Sequence, residues 1–270
     1  MPADTPMPID PMPIYEALRD ALRAERPVVL ATVTAGRGLG AKVLAWPDGT
    51  TLGTLGDPDL DRVVTRDALG ELQAGLTSTR HYGEHGEARE QTVTVFIESF
   101  APPPRMVIFG AVDFSAALAR VAKVLGYRVV VCDARAVFAT RQRFPMADEV
   151  VNEWPDRYLE KVGDDLGAGD AVCVLTHDTK FDVPAICGAL ATRVGYLGAM
   201  GSRRTHAKRV ERLREAGVTD EGLARIHAPI GLDIGGRTPE ETAVSICAEI
   251  IATRTGRRPA SLSDTAGPIH

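Results

Sequence analysis

Beyond residue 105 the chain keeps repeating one alternation, and that alternation limits the fold more than any other feature. Short apolar runs, "MVIFG", "RVVVCD", "DEVVN", "AVCVLTHD" and "VGYLGAMG", are separated by stretches of helical periodicity. The runs are nearly continuous in apolar residues, as strands covered on both faces are. Strands of this kind alternating with helices predict a parallel sheet with helices on both sides. Right-handed crossovers then make an open, doubly wound, Rossmann-like α/β domain. Ligands of such sheets bind beyond the carboxyl ends of the strands, so the residues just after each strand are the candidates for chemistry.

The part before residue 101 has a different rhythm. Residues 1–13 are proline-rich and read as a loose tail. Ile14, Ala17, Leu18, Ala21 and Leu22 then fall on one helical face. "PVVLATVT" (27–34) reads as a buried strand, and residues 41–56 as two strands around Pro47-Asp48-Gly49. A helix over 58–75 and a strand over 91–100 complete a smaller α+β domain, 14–100. "APPPR" (101–105) has three consecutive prolines, which continue neither strand nor helix, and reads as a linker. The Rossmann-like domain then runs over 106–258, with a second tail at 259–270.

Composition removes several classes of function. The 270 residues are 44% hydrophobic and 25% charged, enough for cores of ordinary size. A net charge of −5 argues against nucleic-acid binding by bulk electrostatics. No run approaches the ~20 apolar residues of a membrane span. The N-terminus lacks the basic start and apolar run of a signal peptide, so a soluble, cytoplasmic protein is expected. Cys132, Cys173, Cys187 and Cys247 show no C-x-x-C spacing and sit in apolar runs. They read as reduced core residues, and no metal site is expected.

The strand ends hold the candidates. After the first strand of the second domain, Gly110-Ala111-Val112-Asp113-Phe114-Ser115 stands where a dinucleotide fingerprint G-x-G-x-x-G belongs. Gly110 and the small Ser115 fit. Val112 stands where backbone must approach a pyrophosphate, and Asp113 is expected to cap the helix and occupy its amides. Leu118, Val121 and Leu125 supply that helix's apolar face, and Gly126 its stop. Asp133 ends the second strand where an acid holds ribose hydroxyls; it equally reads as a strand-end carboxylate paired with Arg135. His177 and Asp178 follow the fourth strand, His177 as a possible acid–base or phosphate contact, Asp178 as a possible helix cap. Gly201-Ser202-Arg203-Arg204 opens a basic helix and reads as an anion site, with Lys208 onward as a solvated face. "PIGLDIGGRTPEE" reads as structure: Thr238 caps a helix, Pro239 sits in its first turn and Glu241 completes a capping box. Val244, Ile246, Ile250 and Ile251 follow as its apolar contacts.

Taken in order, "RFP.AD", "LTHD..FD", "YLGAMGSRR", "L.EAGV" and "PIGLDIG.RTPEE.AVSI.AEI" resemble the XdhC/CoxI family. These are accessory proteins of molybdenum hydroxylases such as xanthine dehydrogenase and carbon monoxide dehydrogenase. The resemblance spans 105–256 and is weaker in "PVVLATV" and "DGTTLGTLGD" of the first domain. It implies a factor that binds molybdenum cofactor, assists its sulfuration and inserts it into the apoenzyme. A molybdenum hydroxylase apoenzyme is the implied partner, with a cysteine desulfurase as a further candidate; a homo-oligomer is expected. On that reading Gly110, Asp133, Arg135, His177, Asp178, Gly201, Ser202 and Arg203 are the candidate cofactor-binding residues. The sequence departs from the family in three places. A Gly-Gly-Gly-Cys segment is replaced by Leu55-Gly56-Asp57-Pro58-Asp59, a Cys-Gly-Gly segment is absent before residue 100, and a Gly-Ala-Gly-His loop reads Gly110-Ala111-Val112-Asp113. Two other readings stand beside this one: an NAD(P)-dependent oxidoreductase, disfavoured by Val112 and Asp113, and a docking module that holds no cofactor.

Overall fold

The computed structural model describes residues 11–264, apart from Arg89 and His177. By its internal contacts the chain divides after Pro102 into two units.

In the first unit, five antiparallel strands form a sheet of order β3-β2-β1-β5-β4: β1 (Val28–Ala35), β2 (Lys42–Ala45), β3 (Thr51–Thr54), β4 (Ser78–Tyr82) and β5 (Val93–Phe100). Alternation along β1 serves both faces. Val29, Ala31 and Val33 point into a core with Leu60, Val64 and Ala68 of helix α2 (Pro58–Ala74). Val28 and Leu30 point the other way, to Ile14 and Ala21 of α1 (Pro11–Arg23). Pro11 to Pro13, expected in the tail, are helical, because proline is tolerated in a first turn. Leu22, expected on the apolar face, is exposed. β4 was not legible: "STRHY" is a polar edge strand, exposed over most of its length, so it carries no hydrophobic alternation.

In the second unit, six parallel strands follow the order β11-β10-β9-β6-β7-β8. They are β6 (Arg105–Phe109), β7 (Arg128–Cys132), β8 (Glu149–Val151), β9 (Ala171–Val174), β10 (Tyr196–Ala199) and β11 (Ile226–His227). Counted within the unit this is 6-5-4-1-2-3, the doubly wound order, with its switch point between β6 and β9. Arg105, assigned to the linker from sequence, is the first residue of β6. One layer of helices comprises α3 (Asp113–Val124) and α8 (Pro239–Thr255), packed on Met106, Ile108 and Val129 through Leu118, Ile246 and Ile250. The other comprises α4 (Pro155–Val162), α5 (Thr179–Leu190), α6 (Arg203–Glu215) and the short α7 (Asp220–Ala224). Its core joins Val107, Phe109 and Val172 to Leu159, Ile186 and Leu213.

Several single-residue expectations change. Val244 and Ile251 of α8 are exposed, and Ala243 and Cys247 take the core positions instead. Leu125 ends α3 as its C-cap and is part-exposed. Asp113 does not cap α3. Val112 holds the cap position without a side-chain bond, and Asp113 is the first helical residue, its carboxylate 90% exposed. Thr238 does cap α8, in a capping box with Glu241.

Candidate functional site

Gly110 leaves β6 at φ +108, a conformation open to glycine. A Cβ there would lie 3.0 Å from the Thr176 amide nitrogen, so the two strand ends flanking the switch point touch backbone to backbone. Beside this contact Asp133 is 5% exposed. Its carboxylate accepts the Ala111 amide at 2.8 Å, the Arg135 amide at 2.9 Å, Arg135 Nε at 2.9 Å and Arg135 Nη2 at 2.7 Å. Burial pushes its pKa up, but the bonds from Arg135 and from the two amides outweigh this and hold it below the usual carboxylate range.

These bonds decide the dinucleotide question. The Gly110 amide donates to Cys132 O and the Ala111 amide to Asp133, so both are committed. Both oxygens of Asp133 are occupied from within the protein. Arg143 donates to Ala111 O at 3.1 Å and lies 3.5 Å from the Asp113 carboxylate, which itself stands at the start of α3. A pyrophosphate would meet that carboxylate at the helix end where amide donors are needed. The residues present do not fit NAD(P).

Arg135 extends from Asp133 over two aromatic rings, 4.7 Å from the centre of Phe138 and 5.7 Å from that of Phe181. Phe181 packs against Trp154 in a tilted pair with ring centres 4.8 Å apart, and Phe138 and Trp154 are both part-exposed. The strand-end residues Asp133 and Arg135 therefore form one ion-paired unit with an aromatic surround. Asp178 caps α5 by accepting the Lys180 amide. His177 lies outside the described residues.

At the end of β10, Gly201 sits at φ +139 against Thr205. The Ser202 hydroxyl caps α6, accepting the Thr205 amide at 3.1 Å. Ser202, Arg203 and Arg204 are exposed. The expectation of a solvated face from Lys208 onward fails at Arg209, which is 2% exposed. Its Nη2 donates to Asp182 Oδ2 and to Met200 O, both at 2.8 Å, and Asp182 also accepts the Thr176 hydroxyl at 2.6 Å. Sequence reasoning missed Thr176–Asp182–Arg209. The available signal was spacing: a basic residue four positions before the apolar Leu213 faces the core.

The glycine-rich turn before α8 is tied to the fold. Glu249 accepts the Gly231 amide at 2.8 Å and the Tyr196 hydroxyl at 2.5 Å, and Ser245 donates to Leu232 O. Cys132, Cys173 and Cys247 are buried and Cys187 is half-buried. Burial pushes Cys132 up to about 12 and Cys247 up to about 11, and raises Cys173 and Cys187 as well. Among the described residues no group of His, Cys, Asp or Glu is arranged to hold a metal, and no helix is long and apolar enough to cross a membrane.

Comparison with known proteins agrees with this architecture. The model of the XdhC Rossmann domain matches residues 106–250, more than half of the chain, and that of the XdhC and CoxI family matches residues 21–83. A probable xanthine dehydrogenase subunit of Bacillus subtilis (strain 168) is 34% identical over 165 residues, 61% of this chain and 47% of that protein. The molybdenum cofactor insertion chaperone PaoD of Escherichia coli (strain K12) is 28% identical over 159 residues, 59% of this chain and 43% of that protein. The matched regions thus span less than half the length of either relative. A crystal structure of a xanthine dehydrogenase from Bacillus halodurans aligns over 91% of this chain and 97% of that one, with a TM-score of 0.51 and 22% identity, so the fold is shared. With its Rossmann domain matched nearly end to end, and its first domain matched ahead of it in the same order, the chain belongs to the XdhC and CoxI family.

Proposed function

We propose that this chain is a cytoplasmic maturation factor for a molybdenum hydroxylase of the xanthine dehydrogenase or carbon monoxide dehydrogenase type. It binds molybdenum cofactor as cargo and assists its sulfuration and insertion into the apoenzyme. Family membership across both domains carries the reading, together with the relative named as a molybdenum cofactor insertion chaperone. The carboxyl edge of the sheet supports it. Gly201, Ser202 and Arg203 open α6 with an exposed guanidinium beside helix amides, a suitable seat for a cargo phosphate. Arg135 on its aromatic rings offers a flat cationic surface for a planar heterocycle.

The chain's part in sulfuration is to hold and present the cargo. A sulfur-transferring thiol works as a thiolate, and burial raises all four thiols here. The sulfur donor is then a partner, with a cysteine desulfurase as the candidate. Equilibrium binding of purified molybdenum cofactor to the full chain tests the reading. Binding is expected, weakened by Arg203→Ala; no binding to either form would sink the cofactor role.

The three buried thiols and the absence of any cysteine before Cys132 also favour a second reading. In it the chain docks the apoenzyme or the sulfur donor without holding cofactor. Copurification with a molybdenum hydroxylase, with no pterin released on denaturation, selects that reading.

A further inference from the structure

A second basic feature lies around the helix from Ser202. Arg204, Lys208 and Arg212 recur every four residues along α6, so they form one stripe. With Thr179, Asp182, Thr205 and Arg209 they line a pocket of about 210 Å³ on the α5 and α6 side of the sheet. Among the described residues, Arg204, Lys208 and Arg212 have no acidic partner. Like charges four apart on a helix repel, so the stripe costs stability unless an anion lies across it.

The lining of the pocket gives a second, independent sign. Arg209 is almost wholly buried, and its Nε and Nη1 have no acceptor in the protein. Buried donors are nearly always paired, and a buried charged donor left unpaired calls for a missing partner. Asp182, the lone acid of the lining, is already spent: Oδ2 takes Arg209 Nη2 and Oδ1 takes the Thr176 hydroxyl. Three exposed cations, two threonine side chains and an under-bonded buried guanidinium thus surround one small space.

We infer that this pocket, which runs from the first turn of α6 along its Arg204, Lys208 and Arg212 stripe, is a phosphate site, and the inference is independent of the maturation reading. Its ligand is a phosphate dianion, free or as the terminal group of a small phosphomonoester. The volume admits such a headgroup. Arg204, Lys208 and Arg212 supply the charge and Thr179 and Thr205 hydroxyl donors, while the buried Arg209 adds its positive charge behind them.

Calorimetric titration of the full chain with inorganic phosphate, at ionic strength fixed with chloride, tests this. Saturable binding is expected, with affinity reduced at least roughly tenfold in Lys208→Ala/Arg212→Ala, the scale of one lost charged hydrogen bond. Both side chains are exposed, so the variant should fold, and thermal melting without phosphate checks that it is no less stable than the parent. A parallel titration with glycerol phosphate separates the sources: tighter binding than phosphate assigns an ester ligand, equal or weaker binding free phosphate. Failure of phosphate to bind, or equal binding by the double variant, would overturn the inference. Molybdenum cofactor binding is measured separately, so the two readings fail independently.

Discussion

At the scale of single residues, Asp133 and Gly110 hold the carboxyl edge together. Asp133 has a depressed pKa in the folded chain, held down against burial by Arg135 and two amides. Its stabilising contribution is therefore complete above the unfolded pKa of about 3.9 and is lost as pH falls toward the lower folded value. Asp133→Asn should cost about 2 kcal/mol at pH 7, since donors aimed at a carboxylate lose their charged acceptor. Chemical denaturation at pH 7 and at pH 3 checks it: the gap between parent and variant should shrink in acid, and a gap independent of pH would remove the ion pair from the account. Gly110→Ala meets two costs at once, a positive φ and a Cβ 3.0 Å from the Thr176 nitrogen. A loss of about 2 kcal/mol or more is expected by urea melting, whereas a neutral outcome would mean that the strand ends separate easily.

At the scale of elements, the beginnings of helices show what a sequence discloses. Thr238, Pro239 and Glu241 announce α8 by local chemistry alone, and the capping box forms. Asp113 carries the same local signal before α3 and does not cap, because Gly110 at φ +108 and the Asp133–Ala111 bond fix where the chain turns. Thr238→Ala should therefore cost about 1 kcal/mol. Asp113→Ala should cost no more than about 0.5 kcal/mol, through the helix dipole and its exposed ion pair with Arg143. Equal losses in paired thermal melts would restore Asp113 as a cap. The same division explains the rest. Buried parallel strands were legible because both faces demand apolar residues. β4 was not, since an exposed edge needs none. Of the candidate site, Asp178 as a cap and Asp133 beside Arg135 were legible as neighbours in sequence. The Thr176–Asp182–Arg209 chain was not, because a buried arginine in a run of six basic residues is distinguished only by what packs over it.

At the scale of the molecule, each described core cluster lies within one unit or the other. Val29 to Ile97 and Ile14 to Leu44 belong to the first, and Met106 to Ile250 and Val107 to Ile226 to the second. A unit with its own core has the means to fold by itself. All four cysteines fall in the second unit, so thiol chemistry reports on that domain alone. Cys132, Cys173 and Cys247 are buried and Cys187 is half-buried, with burial raising each pKa. In native protein at pH 8, Ellman's reagent should label Cys187 first and slowly, and the other three only as the domain opens. With rising urea, labelling of Cys132, Cys173 and Cys247 should follow the unfolding of residues 103–264, and a fragment starting at Pro103 should show the same midpoint as the full chain. A midpoint shift would show that the first domain stabilises the second. Rapid labelling of two or more thiols in the native state would do more. It would put a reactive sulfur within reach of cargo, and direct sulfur handling by this chain would then replace delivery to a thiol-bearing partner as the reading to test.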